Sequence, residues 1–145
     1  MKGDSLPRIS PLVDLYNSIS LDCVMPSGAE DLDRMEGDIF LRISDGSDVA
    51  QVLGQDEPEN CKEGEVIYAD QEGPICRCFN WREVARCSIS PETNNAIVVL
   101  EHLLPEADEA FHAGLEKLDG YLQTHCKAQT TVTVLNIDNP SVQIG

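Results

Sequence analysis

Residues 13–39 read VDLYNSISLDCVMPSGAEDLDRMEGDI, and they predict a helix that leads into a loop. Just before the run, Ser10 supplies a capping hydroxyl and Pro11 a proline at the first helical position. The Pro-Ser-Gly sequence at 26–28 then predicts a tight loop. Four apolar residues recur at helical spacing and predict one buried face: Leu12, Leu15, Tyr16 and Ile19.

The middle of the chain is dominated by predicted strands. Residues 38–44 alternate between apolar and polar side chains, which predicts a half-buried strand. A short strand is predicted at 49–53, followed by an acidic surface loop at 54–64. Further strands at 65–69 and 74–79 form a predicted hairpin around the turn between them.

The last third of the chain predicts two more helices. Ser90 and Pro91 predict the start of one, and its apolar run at 96–100 predicts that it is largely buried. The next is predicted from about Pro105 to Cys126, and residues 130–135 predict a last strand. Strands in the middle and helices toward the ends predict a single α+β domain over 1–145, with mixed or antiparallel sheets and packed helices.

Charge and apolar content exclude several classes of function. Ten basic residues face 26 acidic ones, for a formal net charge of −16, which disfavours a general DNA or RNA binder. Positive charge is concentrated only at Arg77, Arg82 and Arg86. No apolar run approaches the roughly 20 residues that cross a membrane, and the first residues lack the pattern of a secretion signal. We therefore expect a cytoplasmic protein whose six cysteines are reduced thiols.

Three segments resemble the tRNA-editing domain of the phenylalanyl-tRNA synthetase beta chain. They are the run at 13–39 quoted above, VIYADQEGPI at 66–75, and SPETNNAIVVLEHL at 90–103 with the leucine that follows. They keep the order and nearly the spacing of the family across residues 6–104. The sequence is more similar to free-standing relatives than to the synthetase, and nothing in it resembles a complete synthetase. Such relatives usually carry a further stretch before this region, so we expect a shortened domain.

The resemblance implies a pocket that hydrolyses the ester of a wrongly charged tRNA. The implied substrate-binding residues lie in three places, and Glu101 is the best candidate for a catalytic or recognition role. The family carries a histidine where this chain has Gly28, a phenylalanine where it has Glu30, and glycines where it has FNWRE. The other implied pocket residues are Ala29, Asp31, Phe79, Asn80, Trp81 and Arg82.

Two functions stay open on the sequence. One is a trans-acting hydrolase of mischarged aminoacyl-tRNA, whose partner is the 3′ end of that tRNA and which needs neither cofactor nor metal. The other is a non-catalytic domain that kept the pocket and binds a small metabolite or a protein. The retained Glu101 favours the first, whereas the missing histidine and the net charge of −16 favour the second.

Single residues also have alternative interpretations. Glu30, Asp31 and Asp33 form an acidic group that suits either a hard cation or the capping of a short turn. Trp81 suits either stacking on a base at the end of a tRNA or a place in the core. No cysteine and histidine spacing fits a zinc site.

Overall fold

The computed structural model describes residues 9–104 and 107–144, and it confirms the predicted α+β class. Within these residues, two α-helices and eight short strands alternate with turns. The helices are α1 (Pro11–Cys23) and α2 (Asp108–Tyr121), and a π-helical turn (Leu122–Cys126) continues α2. The strands are β1 (Ser27–Asp31), β2 (Phe40–Ile43), β3 (Val49–Ala50), β4 (Glu59–Asn60), β5 (Val66–Ala69), β6 (Pro74–Arg77), β7 (Arg82–Glu83) and β8 (Ala96–Leu100).

The two helices pack together and form one layer of the domain. The Ser10 side chain accepts a hydrogen bond from the Val13 amide, which confirms the predicted start of α1. Ile19 of α1 and Leu118 of α2 are buried against each other in one apolar cluster. The helices approach closely at Gly114, where an added Cβ would lie 2.6 Å from the Cys23 sulfur. The predicted apolar faces of both helices therefore build this core.

A two-stranded antiparallel ribbon of β1 and β8 lies beside α1, and it corrects two predictions. Residues 96–100 form a strand, not a helix, and β1 begins at Ser27 inside the predicted loop. Ile97, Val98 and Val99 are β-branched, and β-branched side chains favour strands. An apolar run of five residues has no period that separates the two structures. Pairing with β1, which is far away in the sequence, therefore determines that residues 96–100 form a strand.

The second sheet has four antiparallel strands in the order β2-β5-β6-β7. The predicted hairpin is present as β5 and β6, which turn at residues 70–73. The predicted half-buried strand is shorter, and all four of its residues are exposed, so the prediction of burial is wrong. The strand lies at the edge of the sheet, where nothing in the described part of the chain covers it.

The structure also corrects the predicted bounds of several other elements. The strand predicted at 49–53 is reduced to β3, which pairs with β4 inside the region predicted as a loop. Residues 130–135 form no strand and are largely exposed. Pro105, the predicted start of the last helix, lies outside the described residues, and α2 begins at Asp108. No helix in the described ranges is long and apolar enough to cross a membrane.

Candidate functional site

A small cavity lies between the β1–β8 ribbon and the face of the four-stranded sheet. Its volume is about 30 Å³. Gly28 and Glu30 contribute from β1, where residues two apart share a face of the strand. Asn80 contributes from the turn that joins β6 to β7. Most of the remaining lining is apolar: Ala29, Ile39, Ile75, Ile97 and Val99. The cavity is thus an apolar pocket with a few polar groups.

One end of the cavity carries a carboxyl pair beside a thiol. Cys76 of β6 lies directly opposite Glu83 of β7, so both side chains lie on the same face of the sheet. Glu30 reaches this face from β1. The carboxyl oxygens of Glu30 and Glu83 and the Cys76 sulfur all lie within 4.8 Å of one another. Glu30 and Cys76 are buried, with 8% and 3% of their surfaces exposed.

Burial determines the ionisation of this group. Burial and then the neighbouring Glu83 carboxyl raise the pKa of Glu30 strongly. Burial also raises the pKa of Glu83, while a hydrogen bond with Glu30 lowers it. Burial likewise raises the pKa of Cys76, so this sulfur stays a thiol. Because burial favours the neutral form, the carboxyl pair binds a proton more readily than two exposed glutamates would.

A third carboxyl group, that of Glu101, lies behind the cavity wall. Tyr68 lines the cavity from β5, and its hydroxyl donates a hydrogen bond to Glu101. Burial raises the pKa of Glu101, and the bond from Tyr68 acts in the opposite direction. The Glu101 amide also donates to the Pro26 carbonyl at 2.8 Å, which extends the β1–β8 ribbon by one bond. Glu101 thus has a fixed position at the edge of the pocket.

The turn after β6 has a strained backbone. Cys78 and Phe79 have φ angles of 51° and 69°, a region that favours glycine. The Phe79 amide donates to the Val66 carbonyl at 2.8 Å, and its ring stacks on Tyr68 with centroids 6.4 Å apart. This turn positions Asn80 beside Gly28, where an added Cβ would lie 3.7 Å from the Asn80 Cβ. The strain is located where the chain enters the cavity wall.

The structure brings together only part of the predicted pocket. Gly28, Ala29, Glu30 and Asn80 line the cavity, with Glu101 behind Tyr68. Asp31 does not line it: its carboxylate accepts from Thr93 at 2.6 Å and from the Asp33 amide at 3.0 Å. The second bond caps the turn at Leu32–Arg34, as the capping interpretation predicts. Trp81 is 81% exposed, so the core interpretation of this residue is wrong.

The three concentrated arginines are all paired with carboxylates. Arg77 is buried and donates two hydrogen bonds to Glu65, at 2.8 and 2.9 Å, and one to Glu59. Arg82 pairs with the same Glu59. Arg86 forms a bidentate pair with the buried Asp70, at 2.7 and 2.8 Å, and a longer one with Glu72. These three arginines therefore form no open positive strip beside the pocket.

Three residues of the site were not predicted from the sequence: Cys76, Glu83 and Tyr68. Their common face results from the register in which Cys76 lies opposite both Tyr68 and Glu83. Strict alternation along two recognised strands would have predicted that face for β5 and β6. The two residues of β7 are too few to predict a strand at all.

The cluster of Glu30, Cys76 and Glu83 has a donor set that a borderline metal ion accepts. The acidic group considered from the sequence does not fit such an ion. Asp33 accepts two hydrogen bonds from Asn95, at 2.9 and 3.1 Å, and Asp31 is fully engaged as described. Glu30 lies on the other face of β1 from Asp31.

Comparisons with known proteins agree with this fold. A family model of the B3/4 domain, a domain found in the phenylalanyl-tRNA synthetase beta chain, matches residues 1–116. The fold is similar to that of an N-terminal fragment of the phenylalanyl-tRNA synthetase beta-subunit from Pyrococcus horikoshii, with a TM-score of 0.56 and 14% identity. That similarity covers 74% of this chain and 40% of the fragment. No curated protein matches the chain.

The family model and the α+β fold together define a domain of the phenylalanyl-tRNA synthetase beta-chain type. The chain belongs to the B3/4 domain family, because the family model spans most of its length. The predicted resemblance is confirmed at this level. At 14% identity the structural similarity concerns the fold alone, and the chain spans well under half of the archaeal fragment.

Proposed function

We propose that this B3/4 domain binds the aminoacyl end of a mischarged tRNA and hydrolyses the ester bond. One observation supports this best: all three segments that the family resemblance implies as pocket walls contribute to a single cavity. They are β1 with Gly28, the β6–β7 turn with Asn80, and β8 with Val99. The segments are more than 50 residues apart between β1 and the turn, so their convergence is a property of the fold.

Ester hydrolysis requires a water molecule that attacks the carbonyl carbon while the ribose oxygen leaves. In this proposal Glu101 recognises the aminoacyl group, since Tyr68 holds its carboxylate at the pocket edge. Trp81 follows Asn80 directly and is exposed, which suits a platform on which a terminal base stacks. The proton handler that the family carries as histidine is absent, because position 28 is glycine.

A second candidate function is binding without hydrolysis. The pairing of Arg77, Arg82 and Arg86 with carboxylates favours it, because phosphate contacts normally require free Lys or Arg side chains. The net charge of −16 acts in the same direction by repelling a phosphate backbone. The ligand in this case is a small metabolite with the polarity of the cavity.

Deacylation assays with purified protein separate the two candidates. The substrates are tRNAs charged with alanine, serine, phenylalanine or tyrosine, and the variant is Glu101→Ala. We expect the variant to lose about 10- to 100-fold in kcat/KM, the effect of removing a hydrogen bond to a charged group. Glu92→Ala is the matched control, since Glu92 is an exposed carboxylate outside the cavity. If none of the four is hydrolysed, hydrolysis is rejected and the second candidate stands.

A further inference from the structure

One cluster in the described part of the chain has the composition and the spacing of a metal site. It consists of Glu30, Cys76 and Glu83, whose carboxyl oxygens and sulfur all lie within 4.8 Å of one another. The ligand atoms of a tetrahedral zinc site lie roughly 3.3–3.6 Å apart, given Zn–S and Zn–O bonds of about 2.3 and 2.0 Å. Small side-chain rotations therefore suffice to bring the three groups onto one ion.

Three different strands carry these ligands, and backbone pairing fixes the strands together. Cys76 of β6 lies opposite Glu83 of β7. Strand β1 is attached to the chain beyond β7, because Glu30 forms an antiparallel bridge with Ser88. The fold thus brings the three side chains together before any ion binds, which lowers the entropic cost of assembling the site. The spacing of the ligands along the sequence gives no sign of it, because the site depends on strand register.

A buried oxygen of this cluster has no partner. The Oε2 atom of Glu30 forms no hydrogen bond with the described residues, and Glu30 is only 8% exposed. Within the same residues, no Lys, Arg or His side chain forms a salt bridge with Glu30 or Glu83. Buried carboxyl groups are normally hydrogen-bonded, paired with a base or bound to a metal ion. The unpartnered oxygen therefore indicates a positive ligand.

The Cys76 thiol selects the kind of ion. It donates a weak hydrogen bond to the Arg82 carbonyl at 3.4 Å, and it would release its proton on binding a metal ion. A thiolate binds borderline ions such as Zn²⁺, whereas Mg²⁺ and Ca²⁺ take oxygen ligands. Cys78 provides a contrast within the same chain. Its sulfur lies 3.6 Å from a Glu65 oxygen, but Arg77 already neutralises that carboxylate.

We propose that Glu30, Cys76 and Glu83 bind one Zn²⁺ ion, with a water molecule in the cavity as its fourth ligand. Glu30 and Cys76 both line the cavity, whose volume of about 30 Å³ holds one or two water molecules. Asn80 lines it as well, and its Nδ2 nitrogen is a buried donor with no partner among the described residues. This nitrogen can donate to the oxygen of the metal-bound water. Three protein ligands and one water are typical of catalytic rather than structural zinc sites.

A proton shared by the two carboxyl groups is the alternative to a metal ion. Such a proton satisfies the contact between Glu30 and Glu83, but it leaves the Glu30 Oε2 oxygen and the Asn80 Nδ2 nitrogen without partners. It also gives the buried Cys76 thiol beside the pair no ligand to bind. The Zn²⁺ ion and its water satisfy all three groups, so the metal site accounts for more of the cluster than the proton does.

The test titrates the chelator-treated protein with Co²⁺, a coloured substitute for Zn²⁺, and follows the charge-transfer absorption of a cobalt–thiolate bond. We expect this band to appear in the wild type, to be displaced by Zn²⁺ and to persist in excess Mg²⁺. Cys76→Ser should abolish the band, and Glu30→Gln and Glu83→Gln should each weaken binding at least about 100-fold. Asn80→Ala should weaken it about tenfold, because outer partners of metal ligands contribute about 10- to 100-fold. Cys78→Ser is the matched control and should bind like the wild type. Circular dichroism verifies that every variant is folded.

Absence of the cobalt–thiolate band in the wild type overturns the site, and so does a band that Cys78→Ser removes and Cys76→Ser retains. Zn²⁺ affinity that is unchanged in Glu30→Gln also overturns it. The metal site does not depend on the proposed function, so the two outcomes are separable. Metal binding without hydrolysis of any charged tRNA retains the site and rejects the hydrolase, whereas hydrolysis by a protein that binds neither Co²⁺ nor Zn²⁺ does the reverse.

Discussion

Two clusters of titratable side chains lie on opposite faces of the same β6–β7 pair. They differ in whether a basic residue neutralises the carboxyl groups. On one face Arg77 lies opposite Arg82, and the carboxylates of Glu59 and Glu65 neutralise them. On the other face Cys76 lies opposite Glu83, with Glu30 beside them and no basic partner among the described residues. Adjacent residues on each strand alternate between the two clusters.

The difference separates a structural charge from one that is available to a ligand. The Arg77 guanidinium uses its fork on both Glu65 oxygens, and these bonds lower the pKa of Glu65 to about 2. Glu30 has an oxygen with no partner and a raised pKa, because burial is not offset by a cation. We infer that the first cluster stabilises the sheet, whereas the second leaves a carboxyl group available to a ligand in the pocket.

Breaking the paired cluster should have the largest effect. Arg77→Met leaves the Glu65 carboxylate, whose side chain is 7% exposed, buried without a partner. We expect a loss of about 3–5 kcal/mol in the free energy of unfolding, measured by urea denaturation. Arg77→Lys should lose less, because it keeps the charge without the fork. The exposed pair of Lys117 and Asp22 is the control, and Lys117→Met should cost under about 1 kcal/mol. Equal losses for Arg77→Met and Lys117→Met would remove the structural role.

Replacing Glu30 of the unpaired cluster by a neutral residue should raise the free energy of unfolding, whereas Arg77→Met lowers it. Glu30→Gln keeps the shape of the side chain and replaces the buried carboxyl group by a neutral amide. We therefore expect the free energy of unfolding to increase by about 1–3 kcal/mol near pH 8. The gain should depend on pH, because a carboxyl group with a raised folded pKa destabilises the fold as pH rises above its unfolded value of about 4.3. Melting curves of both proteins between about pH 4 and 8 should therefore diverge toward high pH.

Lowering the pH should weaken the ion pairs of the Arg77 cluster and leave the contribution of the Glu30 cluster unchanged. Glu65 has a lowered pKa, so its stabilisation is present above about pH 4.3 and is lost as pH falls toward about 2. Wild type and Glu30→Gln should lose stability in parallel over this acid range. A variant that diverged from wild type in acid rather than in base would contradict the assignment of the two clusters.

Removing the Tyr68 hydroxyl should have an intermediate effect. Tyr68→Phe leaves the half-buried Glu101 carboxylate without its donor, which should cost about 1–2 kcal/mol in urea denaturation. Tyr121→Phe is the matched control, because the Tyr121 hydroxyl forms no hydrogen bond with the described residues. A difference of less than about 0.5 kcal/mol between the two variants would show that Tyr68 does not position Glu101.

The smallest effect on stability is expected at Trp81. Trp81→Ala removes a side chain that is 81% exposed, so the free energy of unfolding should change by less than about 0.5 kcal/mol. If Trp81 stacks on a tRNA base, KM in the deacylation assay should rise while kcat stays constant. A large loss of stability would indicate that the indole packs in the core.

The sequence predicted the elements that have a local signal. The start of α1 at Ser10 and Pro11, the β5–β6 hairpin and most of α2 agree with the structure. The helix predicted from Ser90 is wrong because β8 takes its structure from β1, a strand about 65 residues away. Local pattern carries no information on such a partner.

The site was predictable to a smaller extent. The family resemblance implied Gly28, Glu30 and Asn80 for the pocket, and these residues line the cavity. Residue letters alone could not pair Cys76 with Glu83, because that contact depends on the register after a strained four-residue turn. Nor does a count of charges reveal that one cluster is neutralised and the other is not.

Titration of the glutamate carboxyl carbons by nuclear magnetic resonance tests the contrast between the two clusters most directly. We predict that Glu30 titrates well above the ordinary glutamate range, together with Glu83, because Glu30 is buried and Glu83 half-buried with no cation paired to either. We also predict that Glu65 stays ionised down to about pH 2. If Glu30 and Glu83 instead titrate independently near their ordinary value of about 4.3, the unpaired cluster does not exist as described.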